Sequence, residues 1–201
     1  MQGSRDVPKW AMRSLGVITC VFVVGALAAC ESTTTSDGSE QGKASASSGD
    51  CGRTASEDCT PHVGPNGSVR VDALVWRVKS ARTTPTIGEQ QYGLGEKANG
   101  VFIVADLSVT SKKDESATIS DDVIKLVVNG GNTYSADSDG TFAAMTDGRE
   151  PLFLTDIGPD STLTAPVVFD VPTNVIGKKL ELSFNELGFG SSQGFIRLPP
   201  L

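Results

Sequence analysis

Apolar side chains recur at every second position in a series of short segments that begins near residue 68. The alternating residues are Val69, Val71, Ala73 and Val75; Val101, Ile103, Ala105, Leu107 and Val109; Ile124, Leu126 and Val128; Ala165, Val167, Phe169 and Val171; and Leu180, Leu182 and Phe184. Such alternation is typical of strands that bury one face. Trp76 and Val78 leave the first alternation, which indicates a register switch or a bulge there.

The chemistry between these segments also favours strands. Gly, Asn, Asp and Pro separate them, and Val, Ile, Phe and Thr are frequent within them. Residues 141–145 can form one turn of helix, and no longer stretch has helical periodicity. About seven short strands of this kind predict an all-β fold, an antiparallel β-sandwich that spans residues 67–201.

The N-terminal segment has the features of an export signal. Arg5, Lys9 and Arg13 precede an uncharged apolar run at residues 15–29, which is shorter than the roughly 20 residues of a membrane-spanning helix. The run ends in the sequence LAAC at residues 27–30, which resembles the lipobox of bacterial lipoproteins. The resemblance implies that residues 1–29 are a signal peptide and that the Cys30 sulfur carries a lipid. The alternatives are an ordinary cleaved signal or a short transmembrane anchor.

Charge restricts the possible partners of the exported chain. Removing residues 1–29 reduces the 17 Lys and Arg to 14 and the 24 Asp and Glu to 23, which leaves a net charge of −9. A nucleic-acid partner is not expected, because phosphate binding needs a basic face. Anionic lipid head groups would also repel such a chain, so the lipid on Cys30 is expected to provide the membrane attachment.

Residues 30–66 are expected to form a flexible tether. The segment is rich in Ser and Thr and has almost no large apolar residue, so it cannot bury enough surface to offset its ordering entropy. Cys51 and Cys59 are predicted to form a disulfide, because the exported compartment is oxidising. The alternatives are free thiols or a metal site that includes His62, although zinc needs more ligands than these three residues provide.

The sandwich segment resembles a family of bacterial lipoprotein domains of unknown function. The resemblance rests on the sequence GVFIVADLSVT at residues 100–110, a charged turn at residues 112–114, Gly158, and APVVFDVP at residues 165–172. It implies an antiparallel immunoglobulin-like, telokin-like β-sandwich without known catalysis. The resemblance supplies no functional residues, and Ser111 and Lys112 stand where such domains usually have Asn-Gly.

Two loops are the candidate binding surface. The predicted connection at residues 83–100 contains four glycines and is longer than is usual in a sandwich. Tyr92 and Leu94 are its candidate partner contacts. Residues 138–150 are expected to form a second lobe, in which Phe142 and Met145 are the apolar contacts. The alternative for both loops is that their apolar side chains fold back on the sandwich.

Two further motifs suggest chemistry only weakly. The sequence GSSQG at residues 190–194 matches a serine-nucleophile pattern, but His62 is the only histidine and no helix is expected after the serine. Asp137, Asp139 and Asp147 could ligate calcium in an irregular site, because EF-hand spacing fails at this position. We therefore expect no catalytic residue, no resident metal and no cofactor.

These observations favour one functional hypothesis. The chain is expected to be a non-enzymatic binding or accessory module, anchored by Cys30 on the extracytoplasmic face of the cell membrane of a Gram-positive, actinobacterial-type cell. Its expected partner is another envelope protein. The alternatives are an envelope receptor for a small ligand or metal ion and, with less support, an envelope hydrolase.

Overall fold

The structure is a computed structural model that describes residues 52–201 except residues 130, 146–148 and 189, with the backbone alone for Tyr92. The strands are β1 (His62–Val63), β2 (Ser68–Val71), β3 (Leu74–Ile87), β4 (Glu96–Ser111), β5 (Ala117–Thr118), β6 (Ile124–Val128), β7 (Asn132–Ser135), β8 (Asp156–Ile157), β9 (Thr162–Val171), β10 (Leu180–Asn185) and β11 (Gln193–Arg197). Helix α1 spans Ser138–Ala143, and single 3-10 turns lie at Gln90–Tyr92, Asp121–Val123 and Thr173–Val175. Within this described part, no helix is both long and apolar enough to span a bilayer.

Two sheets form the predicted β-sandwich. One sheet has the strand order β1-β11-β10-β6-β7, the other has the order β2-β3-β4-β9, and β5 pairs with β8 in a small separate ladder. The pairs between the named strands are antiparallel except one, since β1 runs parallel to β11 with His62 opposite Phe195. The sandwich prediction is therefore confirmed, and the parallel β1–β11 pair is the exception to its antiparallel character.

The core lies between the two sheets and is built by the alternating residues. Val69, Ile103, Leu107, Leu126, Phe169 and Leu182 are each fully buried there. The Trp76 ring stacks on the Phe184 ring from the opposite sheet, with ring centroids 4.9 Å apart. Alternation in the later segments therefore indicates the buried face correctly, because one face of each strand meets the other sheet. In the first segment Val69 and Val71 are buried, whereas Ala73 and Val75 are only partly buried.

The first predicted strand is two strands. The chain turns at Asp72 and Ala73, and Val71 pairs with Leu74 across the turn. Asp72 has a φ of 53°, a left-handed conformation that Asp tolerates better than most residues. The buried side chains change from odd to even positions at this hairpin, so a chain reversal produces the change of face. The β3–β4 pairing also shifts its register between Val78 and Ser80, next to the predicted position.

The predicted 83–100 loop is mostly strand, so its assignment as one long connection was wrong. Strands β3 and β4 continue their pairing to Thr86 opposite Lys97 and Ile87 opposite Glu96, and only residues 88–95 connect them. The distal part of this hairpin extends beyond the core, so residues 83–86 need no apolar alternation and carry mostly Thr. The sequence of these residues therefore shows no alternation of apolar and polar positions.

Part of the predicted tether lies on the sandwich. The backbone N–H of Ala55 donates to the Arg70 carbonyl (2.7 Å), and that of Arg70 donates to the Arg53 carbonyl (2.6 Å), so this segment covers the free edge of β2. Farther along the chain, β1 covers the free edge of β11. We call residues 53–63 the latch, because they pair with the edge of each sheet in turn. The domain therefore begins before the expected boundary at residue 67, since both edges need hydrogen-bond partners.

Candidate functional site

Helix α1 is fixed in place by its first residues. The Asp137 carboxylate caps the helix by accepting a hydrogen bond from the Gly140 backbone N–H (2.6 Å). Gly140 is buried, and a Cβ there would lie 3.0 Å from the side chain of Val168. A side chain here would press on Val168, so glycine favours this close approach of the helix to β9.

The same helix covers the outer edge of β9. The backbone N–H of Asp137 donates to the Val168 carbonyl (2.8 Å), and the Val168 N–H donates to the hydroxyl oxygen of Thr141 (3.0 Å). Thr141 is buried, so its hydroxyl replaces the missing neighbouring strand in a place that water does not reach. Residues 137–141 are thus rigidly positioned.

A small second apolar cluster joins the two predicted lobes. It lies on the outer face of the four-stranded sheet and contains Ile87, Phe102, Val104, Ala144 and Val168, with Ala98 and Ala143 packed against it. At Gly88, a Cβ would lie 2.6 Å from the Leu94 carbonyl oxygen and 3.1 Å from the Ala143 carbonyl oxygen. The end of the β3–β4 hairpin and the end of α1 are therefore in contact.

An apolar groove opens beside α1. It has a volume of about 390 Å³ and lies between the helix and the turn at residues 151–154. Its lining comprises Asp121, Ser138, Thr141, Phe142, Met145, Pro151, Phe153 and Leu154. We call this surface the apolar groove.

Two large apolar side chains at this groove are exposed to solvent. Phe142 is 75% exposed and Leu154 is 84% exposed. Leu154 also has a φ of 63°, a left-handed conformation that costs a non-glycine residue about 1–2 kcal/mol. Neither the exposure nor the conformation of Leu154 is favourable for folding, and such strain is frequent at functional surfaces.

The turn that carries Leu154 is held at three points. Leu152 is fully buried in the sandwich core. The Leu154 backbone N–H donates to the Ile119 carbonyl (2.9 Å), and the Thr155 hydroxyl donates to the Pro151 carbonyl (2.7 Å). These anchors outweigh the cost of the left-handed conformation and present the Leu154 side chain outward.

The structure brings together two of the four predicted contact residues. Phe142 and Met145 both line the apolar groove. Leu94 is 70% exposed on the neighbouring hairpin end, and Tyr92 belongs to the 3-10 turn there, with its side chain outside the described residues. Sequence reasoning missed Phe153 and Leu154, whose signal is an apolar run at residues 152–154 outside any strand pattern.

The serine motif lies in a hairpin. Its segment connects β10 to β11, where the Ser192 backbone N–H donates to a Glu186 carboxylate oxygen (3.2 Å) and the Glu186 N–H donates to the Ser192 carbonyl (3.0 Å). The described side-chain contacts of His62 are with Phe195, on which its ring stacks with centroids 4.4 Å apart, and with Glu181. The Gly and Ser residues of the motif are therefore explained by their place at the β10–β11 hairpin.

Glu181 is the most buried carboxylate of the described residues. It is 3% exposed, and its oxygens lie 3.4 Å from His62 Nδ1 and 3.0 Å from Lys179 Nζ. Desolvation raises the pKa of Glu181, but the hydrogen bonds and charges of Lys179 and His62 outweigh it and hold the pKa below its ordinary value. This group stabilises the outer face of the five-stranded sheet in its charged form.

The remaining sequence candidates have the following positions. Asp137 caps α1, and Asp147 lies outside the described residues, as do Cys30 and Cys51. Among the residues that the structure does describe, no three His, Cys, Asp or Glu side chains are grouped as metal ligands. The lipid on Cys30 and the disulfide between Cys51 and Cys59 stay predictions.

The two segments that carry the sequence resemblance meet in one contact. The Asp170 carboxylate accepts hydrogen bonds from the backbone N–H groups of Asn99 (2.8 Å) and Gly100 (3.2 Å). A Cβ on Gly100 would lie 2.2 Å from the Val171 carbonyl oxygen. These residues therefore serve packing between β4 and β9.

The family described as a domain of unknown function, DUF4352, matches residues 63–193. Among solved structures, the yjhA protein of Bacillus subtilis matches with a TM-score of 0.51 at 9% identity, over 68% of this chain and 99% of that one. The secreted protein MPT63 of Mycobacterium tuberculosis has a TM-score of 0.49 at 14% identity, with 69% and 97% coverage. An uncharacterized β-sandwich protein of Clostridium difficile has a TM-score of 0.46 at 16% identity, with 70% and 95% coverage. No curated protein matches significantly.

Proposed function

The chain belongs to the DUF4352 family, and because that family's description assigns no activity, we propose a function from the apolar groove. The protein is a non-catalytic binding module of the cell envelope, and the groove beside α1 binds another envelope protein. A lipid on Cys30 holds the module at the extracytoplasmic face of the cell membrane.

The exposed pair Phe142 and Leu154 is the observation that carries this proposal. Burial of one large apolar side chain is worth about 1.5–3 kcal/mol, and both side chains forgo that gain in the free protein. Leu154 is held outward by a strained turn, whereas a turn without function could use Gly or Asn at this position. A partner that covers both side chains recovers the unused burial, as the central residues of protein interfaces do.

Photocrosslinking in intact cells tests the partner. A photoreactive phenylalanine analogue at Phe142 is expected to form an adduct with a distinct envelope protein, identified by mass spectrometry. The same analogue at Thr133, an exposed position on β7, is the matched control and should not capture that protein. The additional substitution L154S should reduce the Phe142 adduct. Equal capture from both positions, or no protein adduct at Phe142, would contradict the proposal.

The anchor is tested separately through Cys30. Metabolic labelling with an alkyne fatty acid is expected to label the wild-type chain and to leave C30S unlabelled. C20S, which removes the cysteine inside the apolar run, is the matched control and should remain labelled. Labelling of C30S would show that the chain carries its lipid at a residue other than Cys30.

A small apolar ligand is the second candidate function. The groove volume of about 390 Å³ falls within the range of ligand pockets, roughly 300–1,000 Å³. Native mass spectrometry of the purified chain tests this candidate. A bound small molecule that is lost in F142S would favour the receptor role over the protein partner.

A further inference from the structure

Carboxylates surround the apolar groove. Asp121 lines it, Asp139 lies three residues before Phe142 on α1 and therefore on the same side of the helix, and Glu150 precedes the lining residue Pro151. All three carboxylates are exposed. We call them the acidic ring.

The cation next to Glu150 in sequence is paired with a carboxylate outside this ring. Arg149 directs its guanidinium to Asp106, with Nη1 3.5 Å from the carboxylate oxygen. The described residues of 138–156 carry three carboxylates and this one arginine, a net charge of −2. The groove therefore combines an apolar floor with an uncompensated negative rim.

From this arrangement we propose that the groove binds a polypeptide segment with an apolar anchor, aromatic or long aliphatic, flanked by Lys or Arg. The inference rests on the proposed binding function and adds the chemistry of the partner. Phe142 and Leu154 contact the anchor, and the acidic ring pairs with the flanking cations. Opposite charge at the rim selects the partner and speeds its association, while burial of the anchor supplies the affinity.

A lipid surface fits the same groove less well. Exposed Phe and Leu side chains do insert into membrane interfaces, but membrane-bound surfaces usually surround them with Lys and Arg. Here the surrounding charges are negative and would be repelled by anionic head groups. A basic protein segment satisfies both the apolar floor and the acidic ring.

Selection from a library of random short peptides tests the proposal. The full chain, kept in detergent micelles, is expected to enrich peptides that contain Trp, Phe or Leu beside Lys or Arg. Their affinity should fall about tenfold in D121N/D139N/E150N, because three charges of the ring are removed while the floor is kept. The affinity of the wild type should also fall with rising salt, and that of the triple variant should respond much less.

The outcomes separate the two proposals. Peptides that need Phe142 and Leu154 but show no excess of Lys or Arg, or that bind the triple variant equally well, would overturn the basic-partner inference alone. Peptides that bind F142S/L154S as tightly as the wild type would overturn the binding function itself. A phospholipid adduct, and no protein adduct, at a photoreactive residue in position 154 would replace the protein partner with the membrane.

Discussion

The Asp170 carboxylate accepts hydrogen bonds from both the backbone N–H and the side-chain amide of Asn99, each at 2.8 Å. Asp170 lies near the end of β9, and Asn99 lies at the point where β4 enters the core of the sandwich. Burial raises the pKa of Asp170, but the hydrogen bonds from Asn99 and Gly100 outweigh it and lower the pKa overall. This contact fixes the register of β4 relative to β9 beside the second apolar cluster.

We expect D170A to destabilise the fold by about 2 kcal/mol, because hydrogen bonds to a charged group are worth roughly 1.5–3 kcal/mol. Urea denaturation followed by Trp76 fluorescence measures the change. D114A is the control, because Asp114 is exposed in the turn after β4 and is not among the residues with a left-handed backbone, so it should leave the midpoint almost unchanged. A D170A midpoint equal to that of D114A would contradict the structural role.

Gly100 should tolerate no side chain. In G100A the new Cβ would lie 2.2 Å from the Val171 carbonyl, so the two strands must separate, and we expect a loss of about 2–3 kcal/mol. G64A is the matched control, because a Cβ at Gly64 has no heavy atom within 4 Å. Thermal unfolding of the two variants should differ clearly. Similar melting temperatures would mean that β4 and β9 adjust easily at this point.

Glu181 should make stability depend on pH in acid. Its pKa in the folded state is below the ordinary value of about 4.3, so the unfolded chain binds the proton more readily. The stabilisation is therefore complete above the unfolded pKa and is lost as pH falls through the folded pKa. E181Q should be less stable than the wild type at pH 7. The difference between their free energies of unfolding, the stability gap, should narrow below about pH 4.

Denaturation over a series of pH values measures this gap, with E115Q as the control. Glu115 is exposed in the turn after β4, and its substitution should give no gap that changes with pH. A difference between E181Q and the wild type that stays constant from neutral to acid pH would argue against the charged contact with Lys179 and His62.

Leu154 should show opposite effects on stability and binding. L154G relieves the left-handed strain and exposes less apolar surface, so we expect a gain of about 0.5–1 kcal/mol in the free energy of unfolding. The same change should weaken groove-dependent peptide binding. D160G is the matched control, since Asp160 has a φ of 52° but lies outside the groove, and its peptide binding should remain. A loss of stability in L154G would remove the argument from strain.

The disulfide is testable by peptide mapping without reductant. We expect one peptide in which Cys51 is joined to Cys59, closing a loop worth up to about 2.5 kcal/mol on the chain-entropy model. Cys59 lies in the latch, where its N–H donates to the Ser56 carbonyl, so the disulfide would support the edge of β2. Alkylation of both thiols before reduction would show that the cysteines are free.

The core strands were predictable, because each of them buries one face and repeats its apolar residues with period two. The distal hairpin was not, since residues 83–86 leave the core and lose that constraint. The strand β1 was missed because its two residues are held by pairing with β11, over 130 positions away in sequence. A contact at such separation leaves no local pattern.

The groove was predictable in part. Phe142 and Met145 were recognisable as apolar residues within a loop that has no strand pattern. Leu154 was not, because its outward direction depends on three anchors that surround it, including the buried Leu152 and the Ile119 carbonyl. A sequence records which side chains are apolar, while the exposure of an apolar residue is decided by its neighbours in space.

The latch determines how the domain responds to a pull on its N-terminal side. Force that arrives at Arg53 first meets the hydrogen bonds to Arg70 on one sheet and reaches His62 and Val63 on the other sheet only later. When the predicted Cys51–Cys59 disulfide is reduced, the domain can therefore yield in stages, releasing residues 53–63 as about 36 Å of extended chain before its core strands bear the load. When the disulfide is formed, the loop between the two cysteines cannot extend. The segment that closes both sheets thus also acts as a mechanical buffer.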